Sequence, residues 1–534
     1  MSGQETDAAE SRQSTAESQQ GALQAGLELE RQREWGDAIQ HYESSLRRHP
    51  SDAELEQRLL ISRLHFDVIR RYQDTSFMAS LRKASTQQTL DLYAEILANL
   101  ETHYVDAIDW QRTQLHGTAS LEVALTEDLF IDRLLADVPA EQVEAFRQDV
   151  HRHLIGRPAS TRFDLRANAA YVAGLAHREL GIPGTAVVYE YICGAVGTLD
   201  PYSRLLTSDQ LDETFSNIDG NFVGLGVELK AREDRLRVVD VIEGGPADTA
   251  GIRPGESITR VEDSLTASVD PDYVADLLRG PENSFVSITV VDHQGRSRDL
   301  KVPRRRVEVP SVTGVRIVDK EHGVGYLRLT NFQRTTSREF EKALWDLHEQ
   351  KMRHLIVDIR GNPGGLLSAA VEVADRFLSE GNILLTRGRS AQENFDYAAH
   401  RANTWSVPLT LLIDRDSASA SEIFAGAIAD HGRGILIGET TFGKGRVQGI
   451  FRMQSGRVGL CLTTAKFYSP NRTEINGRGI APTISATTPY IAARPTSDGR
   501  IATIEEDVVL QRALQHARGE DPSNAVASRP SAAK

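Results

Sequence analysis

Three hydroxyls alternate with alanine in the stretch DRDSASASEIFAGAIADHG, at Ser417, Ser419 and Ser421. They follow the apolar run LTLLID and stand where a helix should start. Ser419 with Glu422 three residues later reads as a capping box, and that alone would account for a Ser-x-x-Glu. Three alternating serines exceed what one cap requires, and the small residues between them let another group approach closely. A hydroxyl at a helix N-terminus is well placed for nucleophilic attack, because the helix dipole stabilises the negative charge that develops. Such a serine needs a base. Lys444, in GETTFGKGRVQ, can serve if apolar surroundings keep its amine neutral, and Phe442 with the neighbouring glycines is expected to form that pocket. The run GRVQGIFRM alternates polar with apolar and reads as a strand, on which Gln448 would share a side with Lys444 and orient the amine.

The same lysine invites a second reading. Gly438, Gly443 and Lys444 fit the spacing of a phosphate-binding loop, but Gly445 occupies the place of the magnesium-binding hydroxyl. Such a loop must also run directly into a helix whose N-terminus faces the phosphates, and here a strand follows. HLIVDIR, ending its apolar run at Asp358, would be the accompanying acidic motif, yet it is ordinary in any α/β sheet. No Gly-x-Ser-x-Gly elbow is present, and no His is marked out by its context as a triad member.

The elements that must position these residues alternate. Strands are predicted at Val324–Leu329, His354–Ile359, 383–386, 408–413 and Gly434–Ile437, with helices at Ser337–Gln350, Ser368–Ser379 and 419–430. Ahead of them, from residue 220, the text is strand-like: GNFVGLGVELKA, then RLRVVDVIEGGPADTAGIRPGESITRV, then FVSITVVDHQGRSRDLKV. Alternation at Leu236, Val238, Asp240 and Ile242 suits a strand with one face buried. This run resembles a PDZ domain. Gly224, Leu225, Gly226 and Val227 match that family's carboxylate-binding loop, whose successive backbone N–H groups form a nest for a terminal carboxylate while the adjoining strand edge pairs with the peptide. Glu256 stands where the family usually has Asp, and Asp263-Ser264 replaces its usual Asn-Gly or Asp-Gly turn.

Taken together, residues 195–485 resemble the carboxyl-terminal processing, or tail-specific, proteases, which are serine peptidases with a Ser–Lys dyad usually supported by Gln. SASASEIFAGA followed by GETTFGKGRVQ carries the likeness, joined by LDPYSRLL (199–206), GYLRLTNF (325–332), RGNPGGLL (360–367) and GRGIAPTI (477–484). The resemblance implies Ser419 as nucleophile, Lys444 as base and Gln448 as its support. It implies an oxyanion hole from the amides of Ala420 and a glycine of the GG turn, with Gly365 favoured over Gly364. It also implies a PDZ β-domain (220–308) and an α/β serine protease domain related to the crotonase and ClpP folds (196–219 and 310–490); the apolar stripe of Leu55, Leu59, Leu64, Val68 and Tyr72 marks an N-terminal helical region (21–195) ahead of them, and together these give a multidomain α+β chain. Tyr202 departs from the family's His in L-D-P-H-S, a position outside the dyad.

Composition narrows the rest. A chain of 534 residues implies several domains. Sixty-one basic residues against 75 acidic ones give a net charge of −14, which argues against nucleic acid as a partner. Cys193 and Cys461 lie far apart, so no disulfide framework or zinc cluster is expected, and no metal, nucleotide or other cofactor is called for. No run of 18 apolar residues would span a membrane. The N-terminus lacks the apolar core of a signal peptide, so the expected compartment is the cytoplasm, or the periplasm if a native export signal has been removed. Residues 1–20 and 519–534 are expected to be disordered. Ala22, Gly26, Leu29, Ala38, Tyr42 and Pro50 fall near the spacing of one tetratricopeptide helix pair, without a second copy. The N-terminal helices could also support a homo-oligomer.

The expected function is an endopeptidase acting on unfolded or tail-exposed proteins with nonpolar C-terminal residues, captured through the PDZ loop. Two alternatives stand beside it. A catalytically silent PDZ and helical-repeat adaptor would bind the same C-termini. A CoA-dependent hydratase is conceivable from the fold relationship but leaves the PDZ, Ser419 and Lys444 without purpose.

Overall fold

A computed structural model describes residues 20–520, except 51, 233–234, 263, 267–276, 403 and 488–506. The terminal stretches 1–19 and 521–534, most of the two tails expected to be disordered, lie outside the described residues, as does Asp263. The chain divides into two compact units, one of residues 1–211 with 448–464 and one of 212–447 with 465–534.

The first unit is built from helices at residues 20–31, Trp35–Arg48, Ala53–Gln73, Thr75–Lys83, Thr86–His103, Trp110–Ala124, Asp128–Leu134, Ala140–Ile155, Arg162–Leu180 and Gly184–Gly197. Local signals set several of the boundaries. Asp52 and Asp74 accept first-turn amides, Ser85 with Gln88 and Thr161 with Asp164 form capping boxes, and Gly181 closes its helix at φ +70°. The first helix pair meets where Gly26 has no side chain, because a Cβ there would overlap the Tyr42 ring. Ala38, Tyr42, Leu55 and Leu59 share a small core at that end. The remaining helices enclose a larger core that also takes in Met453, Val458, Leu460 and Leu462 from the 448–464 segment. Residues 459–461 of that segment pair antiparallel with Arg204–Leu206, in the register Arg204↔Cys461.

The second unit holds two sheets that matter for function. In the PDZ region the strand order is Val227–Arg232, Arg235–Val241, Ser257–Val261, Phe285–Val291, Ser297–Pro303, all antiparallel neighbours. Leu236, Val238, Ile258, Val286, Ile288 and Val290 fill its core, as the alternating pattern requires. Glu256 is buried and bound bidentately by Arg298 at 2.8 and 2.7 Å, so the Asp-to-Glu departure is accommodated as an internal ion pair.

The larger sheet has the order Val312–Asp319, Val324–Leu329, His354–Asp358, Leu409–Ile413, Ile435–Gly438, Ile484–Ser485, and every pair after the first is parallel. Parallel strands covered on both faces read as continuous apolar runs, and HLIVD and LTLLI are buried at every residue. One face packs on the helices Thr336–Glu349, Leu367–Asp375 and Ala420–Asp430 through Leu327, Leu355, Val357, Leu411, Ile413 and Leu436. The other face, with Tyr326, Ile356, Leu412 and Ile437, is covered by a C-terminal helix, Val508–Ala517, through Val509, Leu510, Ala513 and Leu514. Sequence reading had no assignment for that helix. Its N-cap Asp507 also meets Arg360, whose guanidinium bridges Asp507 and the buried Asp358 at 2.7 Å each. The acidic end of HLIVD is thus an internal ion pair.

The elements differ from the sequence expectation mainly at their ends. The helix expected over Ser368–Ser379 stops at Asp375, and the strand expected to reach Ile359 ends at Asp358. The chain is already turning at both places.

Candidate active site

Three loops leave the C-terminal ends of three adjacent parallel strands: residues 359–366 after His354–Asp358, 414–419 after Leu409–Ile413, and 439–445 after Ile435–Gly438. In open α/β sheets this edge is where ligands bind. The serine cluster, the GG turn and the FGKG loop occupy these three positions, which no reading of one motif at a time could reveal.

The serines separate by their hydrogen bonds. Ser417 Oγ donates to Ile359 O at 2.9 Å, and Ser421 Oγ donates to Asn362 O at 2.9 Å; both residues are fully buried. Their hydroxyls stitch the serine loop to the turn after His354–Asp358. Ser419 is the N-cap of Ala420–Asp430, with φ +56° and ψ −112°. A non-glycine residue in that region carries about 1–3 kcal/mol of strain. On one side Ala418 N donates to Asn362 O at 3.0 Å, and on the other Ser419 N donates to Glu422 Oε2 at 2.8 Å. The chain therefore makes a sharp, held corner at Ser419 without any Gly-x-Ser-x-Gly sequence.

Glu422 does more than complete a cap. It is fully buried, and its two oxygens accept four donors: Ser419 N at 2.8 Å, Thr441 Oγ1 at 2.7 Å, Gly443 N at 2.6 Å and Lys444 N at 2.8 Å. The backbone amides of Ser419 and Lys444 converge on the same oxygen, Oε2. One carboxylate thus sets the position of the lysine backbone against that of the serine. A buried carboxylate surrounded by donors is strongly anchored. The sequence showed Glu422 only as a capping residue; its second set of partners lies about 20 residues away in the chain and has no local signature.

The FGKG loop is held from its other side as well. Gly477 N donates to Gly443 O at 2.8 Å, Thr441 N to Ile480 O at 3.1 Å, and Ile480 N to Thr441 Oγ1 at 2.7 Å. The GRGI segment is the strap that shapes this loop. Two expectations need correction here. Phe442 is 58% exposed and does not wall off the lysine, because its flanking residues Thr441 and Gly443 are the ones pinned inward. Lys444 is also not on a strand: the strand begins at Arg446, so the every-second-residue argument does not extend to it. Lys444 itself is partly buried.

The GG turn lies against Ser419. A Cβ built on Gly364 would stand 2.8 Å from Ala418 O and from Ser419 Cβ, and one on Gly365 would overlap Phe332 O. Both residues have positive φ, +105° and +138°. Gly364 N already donates to Asn362 Oδ1 at 2.9 Å, whereas Gly365 N has no acceptor among the described residues. Asn362, also fully buried, donates from Nδ2 to Leu329 O at 2.8 Å and fixes the turn's shape. Ala420 is the first residue of its helix, where the N–H has no partner within the helix.

Gln448 falls in the first unit. Its Nε2 donates to Thr463 Oγ1 at 3.5 Å, and Thr463 Oγ1 donates to Asp200 Oδ1 at 3.1 Å. The LDPYS segment is therefore a neighbour of Gln448. The Tyr202 N–H donates to Asp200 Oδ1 at 2.8 Å, a backbone bond that any residue but proline makes.

In the PDZ region the loop Gly224–Val227 leads into Val227–Arg232, which among the described residues lies at the sheet's edge, paired on one side. Leu225 is buried and Gly226 has φ +77°, so the loop offers backbone rather than side chains. Residues 267–276, which include PDYVAD, lie outside the described residues.

No group of three or more His, Cys, Asp or Glu among the described residues could hold a metal ion, and no helix among them is long and apolar enough to cross a membrane.

Two regions of the chain match known family models. Residues 323–486 match the model of peptidase family S41, and residues 237–292 match that of the PDZ domain. A probable CtpA-like serine protease of Staphylococcus epidermidis is 34% identical over 294 residues, 54% of this chain and 58% of that protein. One from Staphylococcus aureus strain N315 is 33% identical over 292 residues, with the same shares. The chain thus spans little more than half the length of these relatives. Among solved structures, a photosystem II D1 C-terminal processing protease covers 79% of this chain and 98% of its own at 24% identity, with a TM-score of 0.42. On its sequence matches, the chain carries a region similar to peptidase family S41, with a region matching the PDZ domain ahead of it.

Proposed function

We propose that this protein is a serine endopeptidase that captures the C-terminal tail of a protein substrate on its PDZ domain and cleaves by a Ser419–Lys444 dyad. The observation that carries this reading is the shared carboxylate: Glu422 Oε2 accepts both Ser419 N and Lys444 N at 2.8 Å. A structural cap has no need to reach the FGKG loop.

In this mechanism the neutral Lys444 amine takes the Ser419 hydroxyl proton as Oγ attacks the scissile carbonyl carbon. The carbonyl electrons move onto oxygen, and the amides of Ala420 and Gly365 donate to that oxyanion. Donors aimed at developing charge in a desolvated site are worth several kcal/mol. The tetrahedral intermediate collapses, the peptide nitrogen leaves with the proton held by Lys444, and an acyl ester remains on Ser419. Water then attacks this ester, Lys444 again taking the proton, and Oγ recovers it on release of the new C-terminus. Gln448 orients the lysine amine. The edge strand Val227–Arg232 pairs with the substrate tail, and the amides of Gly224–Val227 receive its carboxylate. Substrates with a nonpolar last residue are preferred.

The test is cleavage of an unfolded protein with a nonpolar C-terminus by wild type, Ser419→Ala and Lys444→Met, with the amidated substrate in parallel. Loss of cleavage in both variants with tail binding retained, and slower cleavage of the amidated substrate, is the expected result. Cleavage that survives Ser419→Ala would sink the assignment. Tail binding by a wild type that never cleaves would mean an adaptor.

A further inference from the structure

The turn after His354–Asp358 holds two glycine amides, and its hydrogen bonds engage only the first. Gly364 N donates to Asn362 Oδ1 at 2.9 Å. Gly364 O accepts from Phe332 N at 2.9 Å, and Leu366 N donates to Phe332 O at 2.7 Å. Gly365 N has no acceptor among the described residues, and neither has Ala420 N. In a trans peptide the N–H points opposite to the C=O that shares its plane. Holding Gly364 O on Phe332 therefore turns the Gly365 N–H away from Phe332. Gly364 itself lies against the serine loop: a Cβ there would stand 2.8 Å from Ser419 Cβ and 2.9 Å from Ala420 N. The two amides without acceptors thus belong to segments in direct contact.

Asn362 ties this turn to the serine loop with every polar group it has. Its N donates to Ile359 O at 3.2 Å, and Nδ2 donates to Leu329 O at 2.8 Å. Its backbone oxygen accepts from Ala418 N at 3.0 Å and from Ser421 Oγ at 2.9 Å. The residue is fully buried. We propose that Asn362 is a positioning residue for the oxyanion: its Oδ1 engages Gly364 N and leaves the Gly365 N–H as the turn's one donor, beside that of Ala420. This rests on Ser419 being the nucleophile, as proposed above. The glycine pair has no side chains to resist rotation of the peptide between them. A rotated peptide would set Gly364 O, an acceptor, against the developing negative charge. Asn362 opposes this by fixing the peptide before Gly364, as Phe332 fixes the one after it.

The experiment measures kcat and KM for a tail-bearing peptide, and the inhibition constant of a peptide aldehyde ending at the cleaved bond. Wild type, Asn362→Ala, Asn362→Ser and Ser419→Ala are compared, with urea unfolding to show that each is folded. When Ser419 Oγ adds to the aldehyde carbon, the carbonyl electron pair moves onto oxygen and the serine proton goes to Lys444. That oxygen sits where the oxyanion forms, so the aldehyde reads the donors without turnover. Asn362→Ala is expected to lower kcat about a hundredfold to a thousandfold, the range for one oxyanion donor. KM stays unchanged, and the aldehyde binds more weakly in step with kcat. Serine is a weaker acceptor for the amide two residues on, so Asn362→Ser should lose only about tenfold in both. Should Asn362→Ala fail to fold, Asn362→Ser decides the question alone. The proposal is overturned if the folded variant keeps kcat, if the loss appears in KM instead, or if kcat falls while the aldehyde binds as before. These outcomes leave the dyad standing. Cleavage by Ser419→Ala would instead remove the dyad reading and this proposal with it.

Discussion

Glu422→Gln is the sharpest perturbation the site offers, because it keeps the side chain's shape and changes only what its oxygens can do. In the native site Oε1 accepts Thr441 Oγ1 and Gly443 N, and Oε2 accepts Ser419 N and Lys444 N. The residue is fully buried, so water cannot substitute. A glutamine NH₂ in the Oε2 position would face two backbone donors. In the Oε1 position it faces one, Gly443 N, since the Thr441 hydroxyl can turn to accept. The cheaper arrangement leaves one buried donor unpaired, about 1–3 kcal/mol, and weakens the two remaining charge-assisted bonds by about 1 kcal/mol each. Relief from burying a carboxylate offsets part of this. The net expectation is a loss of about 2–4 kcal/mol of unfolding free energy, against about 1 kcal/mol for an ordinary N-cap. The larger effect is on rate. If Ser419 and Lys444 drift by about 1 Å once their common acceptor is disabled, kcat falls about a hundredfold. The assay is urea unfolding together with peptide cleavage, run where the variant is still fully folded. A variant that loses only a cap's worth of stability and keeps its kcat would show that Glu422 caps a helix and aligns nothing.

Three further outcomes are expected. Ser417→Ala and Ser421→Ala each remove one buried hydroxyl donor to a backbone carbonyl, at Ile359 and Asn362, and should cost about 1–2 kcal/mol of stability while leaving measurable cleavage; a silent Ser421→Ala that folds normally would put the nucleophile assignment in doubt. Gly365→Ala has no room for its Cβ against Phe332 O and no easy access to φ +138°, so it should abolish cleavage and lower the unfolding midpoint, and an active, stable Gly365→Ala would contradict the described turn. The third concerns pH. Burial pushes the imidazoles of His116 and His354 down to about 4, helped by Arg112 and His516 respectively. Between pH 6.5 and 4 the unfolded chain then binds protons that the folded one refuses, so stability is intact above 6.5 and falls as pH drops toward 4. At pH 5 the loss is about 2 kcal/mol per histidine. Urea midpoints at pH 7 and pH 5 measure it, and His354→Gln should narrow the gap; equal midpoints at the two pH values would refute the account.

Much of this protein was readable from its residues in order. Alternating LRVVDV, the continuous apolar runs HLIVD and LTLLI, and the serine and FGKG motifs depend on local periodicity and on adjacent residue types, which a linear text preserves. Those features sufficed for a PDZ-like sheet, an α/β sheet and a short set of residues able to do chemistry. Local pattern alone did not separate Ser419 from Ser417 and Ser421, which only the family resemblance did; the acceptors of the Ser417 and Ser421 hydroxyls, Ile359 O and Asn362 O, lie 58 and 59 residues away in the chain. Nor could local pattern show Phe442 turned outward, since its exposure follows from Glu422 pinning the residues on either side. The C-terminal helix Val508–Ala517 was missed because its apolar stripe is short and acquires meaning only against the second face of the sheet. Composition and local pattern determine which elements form and which residues are chemically able. Which of those residues meet, at which strand ends, and which way each hydrogen bond runs is decided by long-range packing, because a buried donor's partner can come from anywhere in the chain.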